Sequence, residues 1–169
     1  MTNQKAQQTT SHILMVRPAN FGFNEETAES NAFQEYDGSL TTGEIKKKAI
    51  KEFEDFVYLL KQTGVDVIVM EDTTEPLKKD AVFPNNWVTF HSDGTIVTYP
   101  MLAEMRRLER REDIIGKLSH QFNFDKRIRL EDAESRNLFL EGTGSMILDR
   151  VHKITYACIS PRTDVELLD

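Results

Sequence analysis

The sequence predicts an α/β fold built from a repeated unit of two strands, a helix and a further strand. Short apolar runs bounded by turn residues alternate with helical patterns along most of the chain. Three helix starts, at Thr42, Ala103 and Thr163, are evenly spaced and give a repeat of about 55–60 residues. The length of 169 residues and a composition with 39% hydrophobic and 29% charged residues are typical of one globular domain.

The first repeat is predicted to begin with a strand. Residues 13–16 are apolar and are followed by Pro18, as in a buried strand ended by proline. Residues 20–39 show no clear period and predict a long loop. The repeat closes with a second predicted strand at residues 65–70.

Between these strands the sequence predicts an amphipathic helix. Thr41 and Glu44 form a capping box at its start, and Gly64 ends it. The apolar positions recur at helical spacing and are expected to point inward. They are Ile45, Ala49, Ile50, Phe53, Phe56, Val57 and Leu60.

The second repeat is predicted to open with a hairpin. Asp93 and Gly94 give the turn signal between apolar residues at 87–90 and 96–99. One charged helix follows, and residues 127–130 return as a strand. The helix is expected to turn inward Met105, Leu108, Ile115, Leu118 and Phe122.

The third repeat is predicted from strands at residues 146–148 and 154–159. Thr163 and Asp164 are expected to cap a helix that has Glu166 in its first turn. Because the sequence stops one turn into that helix, we expect it to be a fragment of a longer protein. The expected organisation is a disordered tail at 1–11 and modules at about 12–72, 80–132 and 138–169, the last one truncated.

Composition and charge narrow the classes of function. The 28 acidic against 21 basic residues give a net charge of −7, which argues against nucleic acid and anionic membranes as partners. The single cysteine excludes an intrachain disulfide and favours a cytoplasmic protein. The histidines lack metal-ligand spacing and there is no phosphate-binding P-loop, so we expect no metal and no cofactor.

Four motifs occur in order along the chain: residues 80–88 (DAVFPNNWV), 98–107 (TYPMLAEMRR), 140–145 (LEGTGS) and 159–164 (ISPRTD). With the repeat, they resemble the pentein guanidine-modifying enzymes: arginine deiminases, amidinotransferases and dimethylarginine dimethylaminohydrolases. That resemblance implies an α/β propeller of five ββαβ modules, of which about two and a half would be present. The start, residues 16–27 (VRPANFGFNEET) with Asn31, Phe33 and Gln34, is most similar to the bacterial citrulline-utilisation hydrolases.

The resemblance implies a hydrolase that acts on non-peptide C–N bonds of arginine- or citrulline-like amino acids. In the family a cysteine thiolate attacks the guanidino carbon to form a thiouronium intermediate, which water then hydrolyses. The matching cysteine and histidine would lie beyond Asp169, so we expect these residues alone to be inactive. Cys158 lies in an apolar run and is expected to be a buried thiol with a packing role.

The resemblance also implies the substrate contacts. Glu141 (catalytic) and Asp80 would hold the guanidino nitrogens, because a carboxylate matches the fixed fork of N–H donors. Asn85 and Asn86 stand where related enzymes have acids, and amides suit a neutral ureido group equally well. The α-carboxylate would be bound by Arg162 and by Arg106, with Arg107 as the alternative; Phe21 would belong to a hydrophobic flap over the substrate.

Other interpretations remain open at this point. Asp80 could cap a strand, Glu141 could lie in a solvated turn and Arg106 could belong to a solvated helix face. The protein could also be an amidinotransferase, a freestanding binder of guanidino compounds, or a non-catalytic pentein similar to the ribosome anti-association factor. The partner expected is a small amino acid, and the sequence also allows a homo-oligomer.

Overall fold

The computed structural model describes residues 7–28 and 38–169 as an alternation of strands and helices. The strands are β1 (His12–Arg17), β2 (Asp66–Glu71), β3 (Val88–Phe90), β4 (Thr95–Thr98), β5 (Lys126–Arg129), β6 (Met146–Asp149) and β7 (Ile154–Ala157). The α-helices are α1 (Glu25–Ala28), α2 (Thr42–Gln62), α3 (Glu104–Arg107), α4 (Glu112–Phe122) and α5 (Gly142–Ser145). Short 3₁₀ helices span Pro84–Asn86, Leu130–Arg136 and Val165–Leu167.

The chain divides into two compact units. The N-terminal unit contains residues 11–84 and 103–109. The C-terminal unit contains residues 85–102 and 110–169, together with the described residues 7–10. Among the described residues, none of the helices has the length and apolar character needed to cross a membrane.

In the N-terminal unit, β1 and β2 are parallel neighbours joined by α2. The predicted capping box is confirmed, since Thr41 accepts from the Glu44 amide and the Glu44 carboxylate accepts from the Thr41 amide. Phe53 and Val57, one helical turn apart, form a core with Val67 of β2. The prediction that Phe56 points inward is wrong, because it is 54% exposed. It lies about 100° around the helix from Val57, outside the narrow stripe that this core covers.

The predicted long loop contains a short helix that the sequence pattern did not indicate. This helix, α1, starts after Asn24, whose backbone and side-chain oxygens accept hydrogen bonds from its first turn. Asn31, Phe33 and Gln34, which carried part of the resemblance, lie outside the described residues.

The C-terminal unit contains a sheet in the order β3, β4, β5. The predicted hairpin is confirmed, since β3 and β4 are antiparallel, and Gly94 takes a φ of +83° in the turn. Strand β5 lies parallel to β4 on its other side. A second core cluster in this unit is formed by Tyr99, Leu140 and Met146.

The single charged helix predicted after the hairpin is instead two helices, α3 and α4. The chain leaves helical geometry at Arg111, and Arg110 makes a two-point ion pair with Glu134. The prediction that Leu108 points inward is therefore wrong, because it lies in the break and is 44% exposed. Ile114, which the prediction omitted, is fully buried in α4.

The last part of the chain forms the antiparallel hairpin of β6 and β7. Cys158 follows β7 and is exposed, so the predicted packing role of this thiol is wrong. Its surroundings explain the error, because all four residues of β7 are exposed. Asp164 caps a 3₁₀ turn by accepting from the Glu166 amide, close to where the third helix was expected.

Most of the predicted tail at 1–11 lies outside the described residues, which begin at residue 7. Within its described part, the Gln8 side chain donates to the Leu148 carbonyl and accepts from the Arg150 amide, both at 2.8 Å.

Candidate functional site

The predicted site residues fall into two clusters, one in each unit. The first surrounds Asp80, which is only 7% exposed. The Asn24 amide Nδ2 donates to Asp80 Oδ2 over 2.6 Å, and Arg106 Nε lies 3.8 Å from the same oxygen. Asp80 therefore has a fixed carboxylate with an amide and a guanidinium beside it. Phe21 is half-buried in this unit.

Arg106 is held by a carboxylate that the sequence analysis overlooked. Glu109 accepts from Arg106 Nε at 2.9 Å and from Nη2 at 3.0 Å, which is the two-point geometry typical of a strong arginine pair. Arg106 is 4% exposed, so it does not belong to a solvated helix face. Arg107 is more exposed, at 25% of its side chain, and approaches the Glu104 carboxylate at 3.9 Å. The three-residue spacing of Arg106 and Glu109 was the available signal.

The second cluster surrounds Glu141, which is 1% exposed and therefore does not lie in a solvated turn. The Leu102 amide donates to Glu141 Oε1 over 3.1 Å. Asn86 Nδ2 and Arg162 Nη1 both approach Oε2 at 3.4 Å. These donors come from three separate segments, and two of the bonds are long.

The backbone around Glu141 is tied to the segment that carries Arg162. The Glu141 amide donates to the Arg162 carbonyl at 3.2 Å. The Ser145 hydroxyl donates to the same carbonyl at 2.8 Å. These bonds fix the start of α5 against the turn before residue 163, and so they set the position of both charged side chains.

Gly142 and Gly144 let this loop approach Asn85 and Asn86 closely. Gly142 has a φ of +39°, and a Cβ there would collide with the Asn85 carbonyl and reach 3.0 Å from the Asn86 carbonyl. A Cβ at Gly144 would lie 2.8 Å from Asn86 Nδ2. Asn86 is buried, whereas Asn85 is exposed and contributes its carbonyl, which accepts from the Thr143 hydroxyl.

We expect Gly142→Ala to lower the free energy of unfolding by about 2 kcal/mol, because the new methyl meets backbone and the φ is unfavourable for alanine. Urea denaturation of residues 1–169 measures this. Gly116→Ala is the matched control, because that helical glycine has open space around it. This change should raise the free energy of unfolding by about 0.5–1 kcal/mol. Equal effects of the two substitutions on stability would contradict the close approach of Gly142 to the Asn85 and Asn86 carbonyls.

Each cluster places a buried carboxylate against an asparagine amide and an arginine. Such carboxylates can accept from a planar group that carries several N–H donors, and the arginines can bind an anion. Among the described residues, no group of three or more histidine, cysteine, aspartate or glutamate side chains is placed to hold a metal ion.

Solved structures with similar folds identify the fold type. Dimethylarginine dimethylaminohydrolase from Pseudomonas aeruginosa, a cysteine-to-serine mutant complexed with citrulline, has a TM-score of 0.62 at 22% identity, over 92% of this chain and 52% of that chain. The N-terminal domain of ArgZ, an arginine dihydrolase from the ornithine–ammonia cycle in cyanobacteria, in a mutant bound to substrate, gives 0.62 at 18% identity, over 92% and 51%. The complex of AgrE with ornithine and NAD+ gives 0.63 at 20% identity, over 93% and 21%.

The chain therefore has a pentein-type α/β fold, as the sequence predicted, and it spans about half the length of the first two of these structures. Residues 17–169 match the family model described as N,N dimethylarginine dimethylhydrolase, eukaryotic, and the chain belongs to this family. A comparison with curated proteins gives no match.

Proposed function

We propose that the protein is a hydrolase of non-peptide C–N bonds in a small amino acid that carries a guanidino or ureido group. Its family and fold support this class of reaction. The observation that carries the proposal is that Asp80 and Glu141 are both buried carboxylates, each contacted by an asparagine amide. Buried carboxylates are rare unless they are paired or functional, and these two match the acids that the resemblance assigns to the substrate.

The geometry around Glu141 suits exchange of one set of N–H donors for another. The bonds from Asn86 and Arg162 to Oε2 are both 3.4 Å long, well beyond the usual charge-assisted distance. A guanidino or ureido N–H at a normal distance would replace them with a stronger bond. Asn86 carries both a donor and an acceptor, so it can serve a neutral ureido group as well as a cation.

The carboxylate end of the substrate is assigned to Arg106 and Arg162. Glu109 already occupies the Nε–Nη2 edge of Arg106, so a substrate carboxylate that binds this edge would have to displace Glu109. The Arg162 side chain is 25% exposed, which leaves it within reach of a ligand that arrives from solvent. Arg162 is therefore the stronger candidate for first contact.

The proposal assigns the covalent step to a cysteine and a histidine outside these 169 residues. The thiolate adds to the guanidino or ureido carbon, the departing nitrogen leaves as a protonated amine or ammonia, and water then releases the carbonyl product and the thiol. We place the protein in the cytoplasm, with a small amino acid as its substrate. The reaction needs no cofactor, and nucleic acid is not a partner.

The test is an assay of the full-length protein with L-arginine, dimethylarginine and L-citrulline, following release of ammonia, dimethylamine and ornithine. We expect turnover of at least one substrate, and a loss of about a hundredfold or more in kcat/KM for Asp80→Asn. Purified residues 1–169 should give no turnover. Hydrolysis by residues 1–169, or no turnover of any of these substrates by the full-length protein, would contradict the proposal.

A further inference from the structure

We propose that Asn24 and Glu26 are positioning residues that hold Asp80 and the helix of Arg106 in place for the substrate. This inference rests on the proposed function, and it concerns two residues that the resemblance does not place among the acids, amides and arginines that bind the substrate. Both lie at the start of α1, and each makes a side-chain contact to a segment that carries a proposed substrate residue.

Asn24 places the Asp80 carboxylate. Its Nδ2 donates to Asp80 Oδ2 over 2.6 Å, and Asn24 is itself only 5% exposed. The other end of the same amide is engaged as well, because Asn24 Oδ1 accepts from the Glu26 amide. With both ends of the amide held, the donor points at one carboxylate oxygen, which fixes the rotation of the Asp80 carboxyl group.

Glu26 places the helix that carries Arg106. Ala103, the residue before α3, offers no side-chain hydrogen bond to the start of that helix. Glu26 Oε2 accepts from the Met105 amide over 3.1 Å and so supplies the missing acceptor from another segment. A four-residue helix has little stability of its own, so this contact helps to decide where Arg106 lies.

A third contact joins the same short segment to the loop that carries Asp80. Glu25, between the two positioning residues, forms an ion pair of 2.5 Å with Lys79, the residue before Asp80. Residues 24–26 therefore bridge residues 79–80 on one side and α3 on the other, all within the N-terminal unit. A shift of this segment would move Asp80 and Arg106 together.

Asn24→Ser separates positioning from helix capping. Serine can still accept at the start of α1, but its hydroxyl is too short to reach Asp80. In the full-length protein we expect kcat/KM for the best substrate to fall by about tenfold or more in both Asn24→Ser and Asn24→Ala. If capping were the whole role, Asn24→Ser would match the wild type while Asn24→Ala lost activity, and that result would overturn the inference.

Asn20→Ala is the matched control. Asn20 precedes α1 in the same part of the chain and also donates over 2.8 Å, but to the Thr74 carbonyl instead of a carboxylate. We expect its kcat/KM to stay within about twofold of wild type. For Glu26, Glu26→Gln keeps the acceptor for Met105 and should retain activity, whereas Glu26→Ala should lose it. Equal kcat/KM for these two Glu26 variants would overturn the role of Glu26.

A readout without substrate keeps this inference distinct from the proposed function. In residues 1–169, the side-chain amide protons of Asn24 should resonate downfield and exchange slowly, and Asp80→Asn should move that resonance. If the full-length protein turns over no substrate, the proposed function fails, and the amide resonance alone decides whether Asn24 holds Asp80. A resonance typical of a solvated amide, unchanged by Asp80→Asn, would overturn the placement of Asp80.

Discussion

Replacing Arg106 with methionine is expected to lower the free energy of unfolding by about 3–5 kcal/mol, because it leaves two buried carboxylates without their guanidinium. Glu109 and Asp80 are 3% and 7% exposed. Glu109 loses two charge-assisted bonds, and Asp80 loses a positive charge at 3.8 Å. Methionine fills a similar volume, so the effect is attributable to the lost charge and donors. Urea denaturation at neutral pH measures it.

Arg107→Met is the matched control for this prediction. Arg107 lies one residue further along α3, and the Glu104 carboxylate that it approaches at 3.9 Å is 85% exposed. We expect this ion pair to contribute less than about 1 kcal/mol, and the loss at position 107 to stay well below the loss at position 106. If Arg106→Met does not fold, Arg106→Lys provides the measurement. Lysine keeps the charge but cannot make the two-point pair, and should cost about 1.5–3 kcal/mol. Equal losses at positions 106 and 107 would contradict the structure.

The same pair of variants bears on which arginine binds the substrate carboxylate. Sequence alone left Arg106 and Arg107 as alternatives, because both lie in a run of mixed charges. The structure separates them by burial and by the partner each one has. Because Arg106 is paired with buried carboxylates, Arg106→Met would lower stability as well as any binding. Its role in binding is therefore best measured with Arg106→Lys, which retains the positive charge.

Local features of the fold were predictable from the sequence because their causes are local. The capping box at Thr41 and Glu44 involves residues three apart, and the hairpin turn at Gly94 depends on a φ that glycine accepts readily. The order of strands and helices follows from such signals. The pentein-type fold was predicted in another way, from the resemblance of the repeat and the four motifs to a known family.

The features that the sequence did not predict correctly depend on contacts between residues that are far apart in the sequence. Asn24 and Asp80 are 56 positions apart, and no periodicity joins them. The contact between Arg106 and Asp80 also joins separate segments, and the charged run around Arg106 does not reveal it. The exposure of Phe56, Leu108 and Cys158 likewise depends on which neighbours cover each surface, and hydrophobicity alone does not determine that.

Replacing Glu141 with alanine should be the second large effect, lowering the free energy of unfolding by about 3 kcal/mol. The Leu102 amide and the buried Asn86 amide both lose their acceptor, and each unsatisfied donor costs about 1–3 kcal/mol. Loss of the Arg162 contact adds little to this change in the free energy of unfolding, because the Arg162 side chain is 25% exposed and can turn towards water.

Glu141→Gln then separates the effect of removing the side chain from the effect of removing its charge. Its oxygen can still accept from the Leu102 amide, but its new NH₂ group faces the donors of Asn86 and Arg162, so we expect about half the loss measured for alanine, roughly 1.5 kcal/mol. Glu104→Ala is the control, since that carboxylate is 85% exposed and should change stability by less than about 0.5 kcal/mol. If Glu141→Ala behaved like Glu104→Ala, the three donors would not be using this carboxylate. The acid would then lie free in solvent, which would contradict its assignment to a guanidino or ureido group.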